Sequence, residues 1–198
     1  MMLIEQTTVP LAALPVQGLK DHLRLGTGFS DDGMQDGLIE GYLRAALAAI
    51  EGRIGKVLIA RRFLWVLESW RDQGGQALPV APVTQVVSVT LVDAAGGAVL
   101  VDPARYRLVP DTHRPRLAAA GVLLPTVPVD GKAEVVFDAG FGATWALVPA
   151  DLAQAVLMLA AEYYERRHEA GVVAGLPFSV QGLIERWRNV RVLGGGAA

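Results

Sequence analysis

Val83-Thr84-Gln85-Val86-Val87-Ser88-Val89-Thr90-Leu91-Val92, then Asp93-Ala94-Ala95-Gly96-Gly97, then Ala98-Val99-Leu100-Val101, is the stretch that decides how this chain is read. The opening segment is mostly valine and threonine, whose branched side chains suit a pleated, half-buried surface. The middle segment puts an aspartate and two glycines between them, a hairpin turn signal. The closing segment is the return strand. The middle of the chain is therefore β structure.

Working outward, Phe63 to Trp70 alternates like a strand, and Tyr106 to Val109, Val122 to Leu124 and Ala133 to Phe137 read as further short strands. Pro79, Pro82, Pro103, Pro110, Pro115, Pro125 and Pro128 punctuate them. Proline cannot donate to a strand ladder and belongs at edges and turns, so a small, meandering antiparallel sheet is expected. Gly74-Gly75-Gln76 reads as a turn between two strands.

Farther out, the period changes to that of helices. Val16, Leu19 and Leu23 share one face of a first helix over Pro15 to Leu25, with Gly26 as its stop. Ser30, Asp31 and Asp32 are cap candidates for a longer second helix. In it Leu38, Tyr42, Ala46, Ala49, Ile50, Ile54 and Val57 recur at helical spacing. Gly41, Ala45, Ala48 and Gly52 form a second, small-residue stripe, which predicts burial on two sides. Helix returns at Pro149, with Leu152, Ala155, Val156, Leu159 and Tyr163 on one face and a charged end at Glu165-Arg166-Arg167-His168-Glu169. Pro177 opens a last helix carrying Val180, Leu183, Ile184 and Trp187. The expected class is α+β. A small helical bundle comes from both chain ends (1–62 and 148–198), an antiparallel β block (63–147) is inserted between them, and 194–198 form a flexible tail.

Composition narrows the function. The chain has 198 residues, 52% apolar and 19% charged. The charged share is below the roughly 25% of an average soluble domain. Such a chain is not disordered, and its apolar excess points to surface covered by a partner. A net charge of −2 argues against a broad basic face for nucleic acid. With no cysteine there are no disulfides, thiolate nucleophiles or zinc ribbons. No run reaches the roughly 20 apolar residues of a membrane span, and Met1-Met2-Leu3-Ile4-Glu5 lacks the layout of a secretory signal. A soluble, cytosolic protein is the expectation.

The candidates for chemistry fail on spacing. Asp31, Asp32 and Asp36 do not fit an EF-hand loop. Glu162, Glu165 and His168 offer one Glu-x-x-His, whereas a di-iron site needs a second copy on another helix. Gly26-Thr27-Gly28 lacks the lysine of a phosphate loop, and Ser30 lacks the second glycine of a nucleophile elbow. The sequence therefore points to no catalytic, metal-ligating or cofactor-binding residues. What stands out is Arg186-Trp187-Arg188-Asn189-Val190-Arg191-Val192-Leu193, where arginine interleaves with apolar residues. Tryptophan and arginine are favoured interface anchors. The alternative is an ordinary final helix with Trp187 turned inward.

Several pieces, in order, carry a resemblance. They are Leu19-Lys20-Asp21-His22-Leu23-Arg24-Leu25, Asp31-Asp32 before a long helix, Leu78-Pro79, Pro82-Val83, and Val92-Asp93 before a glycine turn. Then come Tyr106, Phe137-Asp138-Ala139-Gly140-Phe141-Gly142, Val148-Pro149, Tyr163-Tyr164-Glu165-Arg166-Arg167, and Pro177 before Trp187-Arg188. Together the chain resembles the head–tail connector (adaptor) family of tailed bacteriophages and gene transfer agents. It departs from the family's usual text mildly, at Arg166-Arg167 and Trp187-Arg188. The resemblance implies a structural, non-enzymatic subunit of the virion. It would form a ring, commonly of twelve copies, under the portal protein and present a platform to the next tail component, a stopper or tail terminator. DNA would pass through its channel without sequence-specific binding, and no membrane would be involved. By resemblance, portal docking would use Leu183, Ile184, Arg186, Trp187, Arg188, Val190, Arg191, Val192 and Leu193. Two rival readings stay open: a ligand-binding or enzymatic domain with a pocket between the β block and the helices, and another tail-completion protein.

Overall fold

The computed structural model describes residues 1–25, 35–167 and 175–188. From the N-terminus the elements are β1 (Met2–Glu5), α1 (Val16–His22), α2 (Asp36–Ile54), β2 (Arg61–Leu67), β3 (Gly75–Ala77) and β4 (Val83–Val92). They continue with β5 (Ala98–Leu100), β6 (Tyr106–Val109), β7 (Arg116–Ala119), β8 (Lys132–Ala139), α3 (Ala150–Glu165) and α4 (Phe178–Ile184). Short 3-10 turns sit at Leu11–Ala13, Pro103–Arg105, Trp145–Leu147 and Glu185–Trp187. The fold is α+β, as the sequence implies.

The hairpin of β4 and β5 lies where its composition puts it, but it belongs to a larger sheet than expected. A five-stranded sheet runs β1-β2-β8-β4-β5, and a separate three-stranded sheet runs β3-β7-β6. All pairings are antiparallel. In β2 every second residue from Arg61 to Leu67 is buried, and in β8 every second residue from Ala133 to Ala139. The inward residues share one core with Tyr106, Leu117 and Ala119 of the smaller sheet. Phe63 stacks on Phe137 across the two central strands, 5.7 Å between ring centroids.

A second core is helical. Ile39, Leu43, Ala46, Ile50 and Ile54 of α2 pack with Leu152, Ala155, Val156 and Leu159 of α3. Val180 and Ile184 of α4 close one side of it. Five readings are corrected here. The first helix stops at His22, short of Leu25, and Arg24 adopts a φ of 53°. The second helix ends at Ile54, where Gly55 takes the left-handed conformation that glycine adopts without a Cβ penalty. Val57 therefore leaves the helical face and enters the β core. The stripe Gly41, Ala45, Ala48 and Gly52 is exposed in the single chain, so α2 is buried on one side only. Val122 to Leu124 is irregular chain, and Gly75-Gln76 of the expected turn instead starts β3. The cap candidates Ser30, Asp31 and Asp32, and the stop Gly26, lie outside the described residues.

The two cores meet at a rigid seam. The Arg61 guanidinium binds Glu51 of α2 at 2.6 Å and Glu5 of β1 at 3.3 Å, and Leu58 N–H donates to the same Glu51 carboxylate at 2.7 Å. Burial pushes the Glu51 carboxyl above its ordinary range, with Arg61 opposing that rise. On the other strand Gly140 has φ +137°, and a Cβ there would come within 2.4 Å of Ala60. Only glycine lets the β2 end and the β8 exit approach this closely. That explains the Ala139-Gly140-Phe141-Gly142 run as a joint.

Candidate functional site

The arginine-tryptophan segment stands out in the sequence, and its packing can be followed residue by residue. Pro177 caps α4 in an extended conformation, and the helix buries Val180 and Ile184 against α3. After Ile184 the chain tightens into the 3-10 turn Glu185–Trp187. That turn carries Trp187 onto Phe141, edge to face, with centroids 5.4 Å apart.

Asp151, in the first turn of α3, fastens the same turn. Its carboxylate accepts the Trp187 indole Nε1–H at 2.7 Å, Arg186 Nε at 2.7 Å and Leu152 N–H at 3.0 Å. Partial burial works against the charge on Asp151, but the Trp187 and Arg186 bonds outweigh it and hold the carboxyl below the usual carboxylate range. A negative group at this end also suits the helix dipole. The Arg186 guanidinium lies 4.8 Å over the Trp187 ring, and Arg188 pairs with Glu185 at 3.0 Å.

Of the residues selected from sequence, Leu183, Ile184 and Trp187 therefore face the helical core. Arg186 and Arg188 are exposed. Val190, Arg191, Val192 and Leu193, with the tail 194–198, lie outside the described residues. Sequence reasoning missed Asp151 and Phe141, which hold Trp187. An aspartate in a first helical turn reads as dipole compensation, so nothing local marked it as a tryptophan partner.

Two further surfaces lack cover within the described chain. On α2, Gly37, Leu38, Gly41, Ala45, Ala48 and Gly52 are exposed without a charged side chain among them. No atom lies within 4 Å of where a Cβ would sit on Gly37, Gly41 or Gly52. At the sheet rim, Met1, Met2, Leu3 and Ile4 are exposed, as are Val99 and Leu100.

Other candidates resolve plainly. Asp36 pairs with Lys20 at 2.5 Å, and Glu162 pairs with Arg166 at 2.8 Å along one helix face. His168 lies outside the described residues. Among the described residues, no group of three or more His, Asp or Glu is arranged to hold a metal. An open depression of about 590 Å³ is lined by Glu68, Asp93, Asp130 and Lys132. A smaller one runs along Trp70, Gln73 and Leu124. Both lie in the β region, away from the seam with the helices. Among the described residues, no helix is long and apolar enough to cross a membrane.

Similarity to solved structures decides the family. A chain in the neck of an empty gene transfer agent particle, computed with C6 symmetry, is 56% identical, with 98% of this chain and 99% of that chain covered and a TM-score of 0.90. The chain belongs to the gene transfer agent head–tail connector family. A chain of the native gene transfer agent virion is also 56% identical over the same shares, at a TM-score of 0.87. A chain in the neck of the native particle, computed with C12 symmetry, is 52% identical over the same shares, at 0.85. No protein-family model and no curated protein matches the chain. At this identity and these TM-scores the connector shares its overall fold with those neck chains.

Proposed function

We propose that this chain is a structural subunit of a particle neck. It forms a ring beneath the portal, joins capsid to tail and lengthens the channel for DNA, without catalysing a reaction. The observation that carries the reading is the 56% identity, over nearly the whole of both chains, to a neck protein. The relatives' necks were computed with C6 and C12 symmetry, which supports a ring of twelve copies.

The surface chemistry supports it too. An exposed helix normally shows charge to water, whereas α2 offers a stripe of glycine and alanine, Gly41, Ala45, Ala48 and Gly52, along its outer side. Mid-helix glycine costs up to about 1 kcal/mol against alanine. Nothing inside the described chain needs that smoothness, but a neighbouring subunit packed flat against the helix would. A net charge of −2 leaves few clamps for phosphate, so DNA can slide past. The helical ends (1–62 and 148–198) and the β block (63–147) would act as two units joined at the seam. Portal docking would use the C-terminal segment. Leu183, Ile184 and Trp187 would anchor its root, while Arg186, Arg188, Val190, Arg191, Val192 and Leu193 would make the contact. A stopper or tail terminator would bind the opposite face.

Electron microscopy of the protein mixed with its cognate portal protein tests this. A ring of added density on the portal's narrow end, lost on deletion of residues 189–198 from a chain that still folds, is expected. A folded protein that never associates with the portal would overturn the connector role. Binding that survives the deletion would overturn the docking segment.

A further inference from the structure

We infer that neighbouring copies in the ring join edge to edge through the large sheet, β5 of one copy against β1 of the next. The inference rests on the ring reading above and adds the surface that makes the ring. The first observation is exposure. β1 and β5 are the two outer strands of the five-stranded sheet. Soluble proteins guard such edges with lysine, proline or bulges, because an open edge pairs with any strand that reaches it. β5 is only three residues long and β1 ends on Glu5, but neither strand contains a lysine, a proline or a bulge. Instead Met2 is 55% exposed, Leu3 39%, and Val99 and Leu100 66% each. Side chains on both faces of both strands are uncovered, so each strand lies at a rim rather than over a core.

The second observation is register. A cyclic ring repeats one contact between two different surfaces on opposite sides of the subunit. Closure also allows no rise from copy to copy, so both surfaces must sit at one level. The pairings Met2↔Val66, Val66↔Glu134, Thr90↔Glu134 and Thr90↔Leu100 place Met2 and Leu100 at the two ends of a single row across the sheet. With the strands along the ring axis, that row runs around the ring and its ends meet at equal height. Because every neighbouring pair is antiparallel, β1 and β5 have the same polarity across the sheet. Rotation about that axis keeps direction, so the new pair is parallel, with Met2 beside Leu100 of the neighbour. Apolar side chains on both faces of the joint would then be covered.

The chain has no cysteine, which makes the test clean. The protein carrying both Met2→Cys and Leu100→Cys is assembled on the portal and mildly oxidised. Within one chain the two positions are roughly 19 Å apart, across four strand gaps of about 4.8 Å, far beyond the roughly 7 Å limit for a disulfide. Any bond therefore joins two copies. A ladder of covalent oligomers on a non-reducing gel, absent from either single variant, is the expected result. Rings seen by microscopy whose cysteines stay free to a maleimide label would overturn edge pairing and leave the ring standing. A double variant that fails to assemble is replaced by Leu3→Cys with Val99→Cys, read in the same way. The absence of rings from the unaltered protein would overturn the connector reading itself.

Discussion

The helical core and the β core solve the same packing problem in opposite ways. The helical core is built from small and medium side chains, with Ala46, Ala155 and Ala160 in one cluster with leucines and isoleucines. It leaves a smooth Gly/Ala stripe on the outside of α2 as well. The β core is built from large ones, with Trp65, Phe63 and Phe137 filling the space between strands. It leaves its outer strands bare. Each core is complete inside and unfinished at its border, which suits a part made to be joined to copies of itself.

The sharpest way to break the comparison is to cut each core at its centre. Phe137→Ala should cost about 3–5 kcal/mol, and Leu152→Ala about 2–5 kcal/mol, by thermal or urea unfolding. A single shared transition in both variants would mean that the seam makes the cores one cooperative unit. Two transitions, with each variant moving only one, would mean they are independent.

The seam itself comes next. Arg61 and Glu51 side chains are only 6% and 11% exposed, so Arg61→Ala leaves a buried carboxylate without its partner and should cost about 3 kcal/mol. The pH dependence has a definite sign. The folded Glu51 carboxyl already holds its proton more tightly than in the unfolded chain. Its contribution is therefore fully present below the ordinary glutamate value of about 4.3 and falls as pH rises above it. Without Arg61 that fall should be larger, so the variant's deficit should be greater at neutral pH than near pH 4.

A smaller effect is expected at the C-terminal turn. Asp151→Asn should cost about 1 kcal/mol, because it weakens the Trp187 and Arg186 bonds without opening a cavity. In the unaltered protein the Asp151 carboxyl sits below its usual range. Its contribution is present above about pH 4 and is lost as the solution is acidified through the lowered value. The fluorescence assigned to Trp187, by difference from Trp187→Phe, should change in that acid interval and not in Asp151→Asn.

Least of all should happen to the isolated chain when the smooth side of α2 is altered. Ala48→Arg should stay within about 0.5 kcal/mol of the parent. Gly41→Ala should gain up to about 1 kcal/mol, since no atom waits where its Cβ would go. Yet Ala48→Arg should abolish ring assembly by light scattering. Unchanged rings would remove α2 from the subunit contacts.

The parts legible in sequence are those whose local pattern matches their burial. β6, β8 and α3 have that property, because one face of each is a run of apolar side chains at the right period; β4 was legible through its valine and threonine content instead, since two bulges break its alternation. β7 did not show itself because Leu117 alone carries its buried bulk, between Arg116 and two alanines. β1 was missed because all four of its residues are exposed, so it has no inside-outside alternation to read. Val122 looked like a strand residue and is 86% exposed in irregular chain. The small-residue stripe was read as an interior face, and within one chain it faces outward. The candidate segment was visible through Trp187 and its arginines. Its partner Asp151 was not, being distant in sequence and close only after α3 and α4 pack.

The order of strands in the large sheet also sets a timetable. Its central strand, β8, pairs with both β2 and β4 yet is made last of the five. A ribosome adding about 5–20 residues per second needs roughly 4–14 s to travel from the end of β2 to the end of β8. Through that interval β2, joined from residue 92 on by the valine-rich β4, waits in the nascent chain with the middle partner missing. The helical core waits longer still, for α3. Neither core can therefore close until β8 and then α3 have been made, and slowed translation past residue 67 would lengthen the period in which half-made copies can capture one another.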